Sequence, residues 1–281
     1  MGDIGVIEII LIASNVLLSF KGFNDRIFFS DWAFQVGKVL GQKDYKRLIT
    51  SGFLHVSTMH LIFNMLTLYF FAGALEAFLG PFGFIVVYFG SLVGGNLFAL
   101  LVHQKNWAYS AVGASGAVSG VVFAAIALFP GMKLALFLIP IPMPAWLFGL
   151  GFILYSIFGI KSQRDNIGHE AHLGGAVIGL LIAIAFRPEM LSINTLSIML
   201  VLIPALSFML VVLFRPSLLS GSANIRRSKP AKTTRADEHY NSIKAEKKRE
   251  LDRILDKIKE QGMDSLTEEE KWHLDTYGDN L

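Results

Sequence analysis

Apolar positions in this chain are gathered into long runs separated by short polar stretches. Each run is about 20 residues, the length a helix needs to cross a hydrocarbon core roughly 30 Å thick. The first extends from about Ile4 to Phe20, and others run from about His55 to Leu79, Pro81 to His103, Ala111 to Pro130, Gly168 to Phe186 and Ile193 to Phe214. No alternating ten-residue pattern of a membrane barrel is present. The stretch from Met132 to Ile160 is broken by Pro140, Pro142 and Pro144, which withhold backbone donors, so a fifth helix is predicted to start near Pro144. Seven transmembrane helices result. The first run lacks a basic leader and a small-residue cleavage site, and Lys21 and Gly22 follow it directly, so it reads as a retained span. Between it and the second run, Lys21 to about Ser51 mixes Phe28, Phe29, Trp32 and Phe34 with scattered charges. That mixture predicts an element lying at headgroup level rather than a span.

Composition agrees with this pattern. Of 281 residues, 53% are hydrophobic and 17% charged, against roughly 25% charged in soluble domains. The absence of cysteine excludes disulfides, thiolate metal sites and a cysteine nucleophile. Covalent chemistry must then use oxygen or nitrogen. Beyond Pro216 the chain changes character, with 14 of its 25 Lys and Arg residues lying from Arg215 onward. The expected organisation is a six-helix core over 1–190, a seventh transmembrane helix over 191–214, a basic flexible linker over 215–236 and a charged helical hairpin over 237–281. In the last segment Ile243, Leu251, Ile254, Leu255 and Ile258 share a helical face, Gly262 offers a stop, and Thr267 to Glu270 forms a capping box before Trp272. A solvated, partly disordered tail is the competing reading, because so few apolar residues hardly offset the ordering entropy. The basic tail favours a cytoplasmic C-terminus by the retention of Lys and Arg beside spans.

Polar side chains inside spans are expensive and mark candidate sites. The second helix holds His55, His60, Asn64 and Glu76; the fourth, Ser115 and Ser119; the sixth, His169, Glu170 and His172. His60 and Asn64 are four apart and share a helix face, where they either point two donors at one spot or merely join helices. Gly113-Ala114-Ser115-Gly116 presents a serine at a helix mouth, although small residues there also serve close helix packing. The glycines after His172, with Gly179 beyond, would let the sixth helix press on the fourth, bringing His172 to Ser115. An imidazole within reach of a serine hydroxyl is the minimal activated nucleophile. His169 and His172 as metal ligands are the alternative, but His169-Glu170-Ala171-His172 is one residue short of the zinc-protease signature.

Three motifs in order, His55-x-x-x-x-His60-x-x-x-Asn64, Gly113-Ala114-Ser115-Gly116 and Ala171-His172-Leu173-Gly174-Gly175, resemble those of the rhomboid intramembrane serine proteases over about residues 1–190. The resemblance is to the bacterial type, a six-helix core with one helix appended. It implies an all-α polytopic membrane protein in the cell membrane, with Ser115 as nucleophile and His172 as general base, in a dyad without an acidic third member. His60, Asn64 and the Ser115 backbone N–H would form the oxyanion hole, while His55, Glu76, Gly113, Gly116 and Gly175 would be supporting. Substrates would be transmembrane helices of other membrane proteins, cut at small residues within the bilayer. No cofactor, metal or nucleic-acid partner is expected, and the tail's partner is unspecified. Two departures stand out: Lys46-Arg47 replaces the family's usual Trp-Arg, and Ser119 occupies the place of an aromatic that stacks on the histidine. The rival readings are a catalytically inactive rhomboid-like chaperone or adaptor that binds transmembrane segments, and a transporter. The transporter reading is weakened by the lack of a clear internal repeat and by too few intramembrane carboxylates.

Overall fold

The computed structural model describes residues 5–136, 139–162 and 168–214, together with 253–254, 257–258, 262, 265–267 and 270. The chain divides into two compact units, Met1–Gly221 and Ser222–Leu281. The first is an all-α polytopic membrane fold. Among the described residues, four helices are long and apolar enough to span a bilayer: α1 (Val6–Asn24), α5 (Thr58–His103), α8 (His169–Phe186) and α10 (Thr195–Phe214). Two shorter apolar helices, α6 (Ser115–Leu128) and α7 (Ala145–Ser162), complete the bundle.

Sequence chemistry sets where each helix starts and stops. Helix α5 bends at Gly80, whose φ of 75° lies in the left-handed region. Pro81 disfavours helical backbone in the residue before it, and glycine tolerates the alternative. The bend falls where the sequence predicts one span to end at Leu79 and the next to begin at Pro81. Its start falls at Thr58 rather than near His55, because the Ser57 hydroxyl accepts the His60 N–H at 3.2 Å and caps the first turn. His55 is thereby left in the extended segment before the helix. At the other end of the bundle the proline-rich stretch becomes an antiparallel hairpin, β3 (Lys133–Leu136) with β4 (Ile139–Pro144), before α7 begins. A short α9 (Met190–Ile193) precedes α10. The elbow between them is held by Asn194, whose side-chain amide donates to the carbonyls of Ile126 and Ala127 at 2.8 and 3.1 Å. That bond moves the start of the last helix from Ile193 to Thr195.

The first loop is built rather than slack. It holds α2 (Arg26–Trp32), β1 (Phe34–Gln35), α3 (Val36–Gly41), α4 (Arg47–Thr50) and a 3-10 turn over Ser51–Phe53. Arg47, 4% exposed, clamps it: Nε donates to Asp44 at 2.8 Å and an Nη to the Ser30 and Ala33 carbonyls at 2.6 and 2.7 Å. At the far end of α1, Glu76 accepts the N–H groups of Ile7 and Glu8 at 3.1 and 3.0 Å. A carboxylate at a helix N-terminus satisfies orphan donors and opposes the positive end of the dipole.

Helix α6 lies against α5 and α8 and is buried from Gly116 to Leu128. Its 14 residues rise about 21 Å, short of the hydrocarbon thickness, so at least one of its ends lies within the membrane. Close approach to α8 depends on glycine. A Cβ on Gly175 would collide with the Gly116 carbonyl, and one on Gly179 with the Gly120 backbone.

In the second unit, Gly262 takes φ 81° and its N–H donates to the Ile258 carbonyl at 2.9 Å. Thr267 and Glu270 form the expected capping box: the Thr267 N–H donates to Glu270 Oε2 at 2.8 Å and the Glu270 N–H to Thr267 Oγ1 at 3.2 Å. The Lys257 ammonium, with the Thr267 N–H second, holds the Glu270 carboxyl down at about 2. The expected linker and the rest of the expected hairpin, Trp272 included, lie outside the described residues.

Candidate active site

The site begins with a turn that three separate contacts hold in place. Helix α6 starts at Ser115 and not at Ala111, because Ser110–Ala111 form β2, paired antiparallel with β1 through Phe34↔Ala111 and Gln35↔Ser110. The Gly113 N–H donates to the Ser51 carbonyl at 3.0 Å, and the Ala114 N–H faces His55 Nε2 at 3.4 Å. Gly113 has φ 135°, which L side chains rarely adopt. A Cβ there would also stand 2.8 Å from His60 Cε1. Backbone and space both require glycine immediately ahead of Ser115.

His172 sits in the first turn of α8 with Nε2 2.6 Å from Ser115 Oγ. Serine and imidazole at this distance form a hydrogen bond through which a proton can move. The rings of Phe152 on α7 and His172 stack, with centroids 5.9 Å apart at 29°. Ser119 is one turn beyond Ser115 and donates its hydroxyl back to the Ser115 carbonyl at 2.7 Å. The ring over the histidine thus comes from a different helix.

His60 and Asn64 lie along the first turns of α5. Both line one cavity of about 270 Å³ with Ser115 and His172, where Phe63, Phe148 and Phe152 supply apolar lining. The Asn64 amide gives one N–H to the His60 carbonyl at 3.0 Å, which leaves its second donor for the cavity. The first N–H groups of α6, Ser115 among them, have no intrahelical acceptor and carry the positive end of that helix. A second cavity of about 420 Å³ meets the same three residues His60, Ser115 and His172 from the loop side, beside Phe29, Val56 and Gly168. Ser115 therefore lines both hollows, together with His60 and His172.

The other predicted residues fall around this centre. His55 is 1% exposed, and its ring meets His60 edge to face with centroids 4.9 Å apart. Gly116 and Gly175 set the spacing of α6 and α8, and Glu76 lies at the α1 end. His169 packs edge to face on Tyr155 and on His172, centroids 5.0 and 6.0 Å apart, and among the described residues no group of three or more His, Asp or Glu is placed to hold a metal ion. Glu170 Oε1 lies 3.1 Å from His103 Nε2, whose ring stacks on Tyr109 at 3.7 Å. Burial, and the Glu170 carboxylate second, push the Tyr109 phenol up. This cluster ties the start of α8 to the end of α5 and the loop leading to β2.

Sequence reasoning missed Phe152 and the loop anchors. Phe148 and Phe152 are four apart on α7 and so share a face, but nothing in that spacing says which histidine the face meets.

Residues 42–189 match the Rhomboid domain family, more than half of the chain, and residues 234–280 match a family of unknown function, DUF6576. The chain is 34% identical over 157 residues to Rhomboid protein 1, mitochondrial, of Saccharomyces cerevisiae, covering 53% of this chain and 45% of that one. It is 29% identical to RHOMBOID-like protein 12, mitochondrial, of Arabidopsis thaliana, over 63% of this chain and 56% of the other. With Rhomboid protease AarA of Providencia stuartii it shares 28% identity over 59% of this chain and 66% of the other. The chain spans about half the length of the yeast and Arabidopsis relatives.

Proposed function

Because this chain belongs to the rhomboid family, we propose that it is an intramembrane serine endopeptidase that cuts transmembrane helices of other membrane proteins. The observation that carries this is the 2.6 Å contact between Ser115 Oγ and His172 Nε2 at the head of a buried helix. In this reading His172 takes the hydroxyl proton as Oγ attacks the scissile carbonyl carbon, and the imidazolium then gives that proton to the departing amine. Water entering through the larger cavity loses a proton to His172 and attacks the acyl carbon, and Oγ recovers its proton as the new C-terminus leaves. In this reading the Ser115 N–H, Asn64 and His60 are the donors that meet the carbonyl oxygen as it becomes negative, supported by His60, Asn64 and Ser115 lining one cavity. Preorganised donors in a water-poor site stabilise such charge most. An extended substrate is required, since the carbonyls of an intact helix are already accepting hydrogen bonds. In the same reading the protein crosses the cell membrane seven times, with the two halves of α5 counted separately, and residues 1–190 form the catalytic core.

The test is covalent and direct. A fluorophosphonate probe should label the purified protein at Ser115, and a reporter transmembrane substrate should be cleaved. Ser115→Ala and His172→Ala should each lose cleavage by at least about 10³-fold while remaining inserted. A protein that neither labels nor cleaves would instead be a non-catalytic binder of transmembrane segments. Wild-type cleavage by Ser115→Ala would reject the nucleophile.

A further inference from the structure

Helix α1 contributes nothing to the dyad, yet one of its hydroxyls is bonded to the ring beside it. Ser19 Oγ lies 2.8 Å from His55 Nδ1 and 2.9 Å from the Phe53 carbonyl oxygen. On the other side of the ring, the Ala114 N–H points at His55 Nε2 at 3.4 Å. Ser19 is fully buried and His55 1% exposed, so water does not substitute for any of these partners.

Only one arrangement of protons satisfies all three contacts. A backbone N–H only donates, so Nε2 must present its lone pair to Ala114. The proton of the neutral imidazole is then on Nδ1 and is donated to Ser19 Oγ. A carbonyl only accepts, so the Ser19 proton goes to Phe53. Protonating the ring, or moving its proton to Nε2, sets donor against donor at Ala114.

We propose that Ser19 and His55 are positioning residues for Ser115: the Ser19 hydroxyl fixes His55 as the neutral Nδ1–H tautomer, and the ring in that state holds the turn that presents the nucleophile. The proposal rests on the reading of Ser115 as nucleophile. Ala114 is the residue directly before Ser115, and the preceding Gly113 N–H is bonded to the Ser51 carbonyl at 3.0 Å. Both peptide groups leading into α6 are therefore held by residues 51–55. The His55 ring also backs His60 edge to face, so a shift of His55 moves two walls of the cavity together. Taking away the Ser19 acceptor leaves a buried Nδ1–H with no partner, and the alternative tautomer repels Ala114. Either outcome displaces the turn, and displacements of about 1 Å at a reacting atom can cost on the order of 10²-fold in rate.

The experiment compares wild type, Ser19→Ala and Ser19→Thr in bilayer nanodiscs, by cleavage kinetics, fluorophosphonate labelling rate and melting temperature. Imidazole ¹⁵N NMR of the wild type reads the tautomer of His55, its signal assigned by loss in His55→Gln. We expect the wild-type proton on Nδ1. Ser19→Ala should lower kcat about 10-fold with KM within about twofold and slow labelling in parallel, and Ser19→Thr, which keeps the hydroxyl, should recover most of the rate. A proton on Nε2 or a charged ring in the wild type would overturn the proposal, as would unchanged kcat in a folded Ser19→Ala. If Ser19→Ala does not fold, the wild-type tautomer together with the Ser19→Thr rate decides. An inactive, unlabelled wild type would reject the nucleophile reading itself, and with it any positioning role, even where the ring carries its proton on Nδ1.

Discussion

The two walls of the Ser115 site are made in different ways. Helices α6 and α8 meet backbone on backbone: the Cβ atoms absent from Gly116, Gly120, Gly175 and Gly179 are what let them touch. Helix α7 reaches the same site only through side chains, chiefly Phe148 and Phe152, while Leu154 and Phe158 on it are 56% and 63% exposed. Lipid is as apolar as leucine, so membrane helices gain little from burying apolar surface and associate through close packing and hydrogen bonds. The distance between serine and histidine is accordingly set by main-chain atoms, which do not rotate away. The ring resting on the histidine is set by rotamers on a helix that touches lipid. One wall fixes the serine–histidine distance, and the other is free to yield.

Breaking the rigid wall should have the larger consequence. Gly175→Val forces carbons into the Gly116 carbonyl, one residue from Ser115. Cleavage should fall on the order of 10³-fold, since about 1 Å is worth roughly 10² and valine demands more. Overpacking should also cost about 1–3 kcal/mol of stability, read as a lower melting temperature. Gly151→Ala on α7 is the control, because nothing lies within 4 Å of the added Cβ; its rate should stay within about twofold of wild type. Equal damage from both substitutions would erase the distinction between the walls.

Next in size are the donors that share the cavity with the dyad. Asn64→Ala and His60→Ala should each lower kcat by on the order of 10²-fold with little change in KM, because the contacts strengthen only when charge develops on the substrate oxygen. If the two serve one oxyanion, the double substitution loses less than the sum of the single ones in free energy. A rise in KM at unchanged kcat would make them binding residues instead.

How much of this was legible in the sequence depends on the range of the interaction. The span of α8, the bend before Pro81 and the capping box at Thr267 follow from neighbouring residues, and they appear where local chemistry puts them. The meeting of Ser115 and His172 was readable because both lie at helix mouths flanked by glycines. The pairing of β1 with β2 is only two residues long, too short to leave a periodic trace, yet it moves the start of α6 from Ala111 to Ser115. The prolines of the fifth segment showed where a helix is interrupted but not that the chain would return as a hairpin. Arg47 was visible only as half of a motif, and its clamp on Ser30 and Ala33 is a tertiary fact. Glu76 could be read as structural, but not as the cap of a helix lying 68 residues earlier in the chain.

Phe152 is the smallest and sharpest test of the yielding wall. Ser119 cannot stack on an imidazole, and its hydroxyl is turned back to the Ser115 carbonyl. The ring over His172 comes from α7 instead, with centroids 5.9 Å apart at 29°. Aromatic pairs are worth about 0.5–1.5 kcal/mol beyond the area they bury, equivalent to roughly a 2- to 10-fold change in rate if the stacking serves only to seat the base. Phe152→Leu keeps apolar volume and removes the π-face, so kcat should fall within that range while the melting temperature stays near wild type. Ser119 lines the same cavity as Phe152 and His172, which makes it the position from which a second ring can replace the first. Adding Ser119→Phe to Phe152→Leu should restore most of the lost rate by supplying a ring one turn beyond Ser115. Full activity in Phe152→Leu alone would show that the histidine is seated by α8 without help, leaving α7 as cover for the cavity and nothing more.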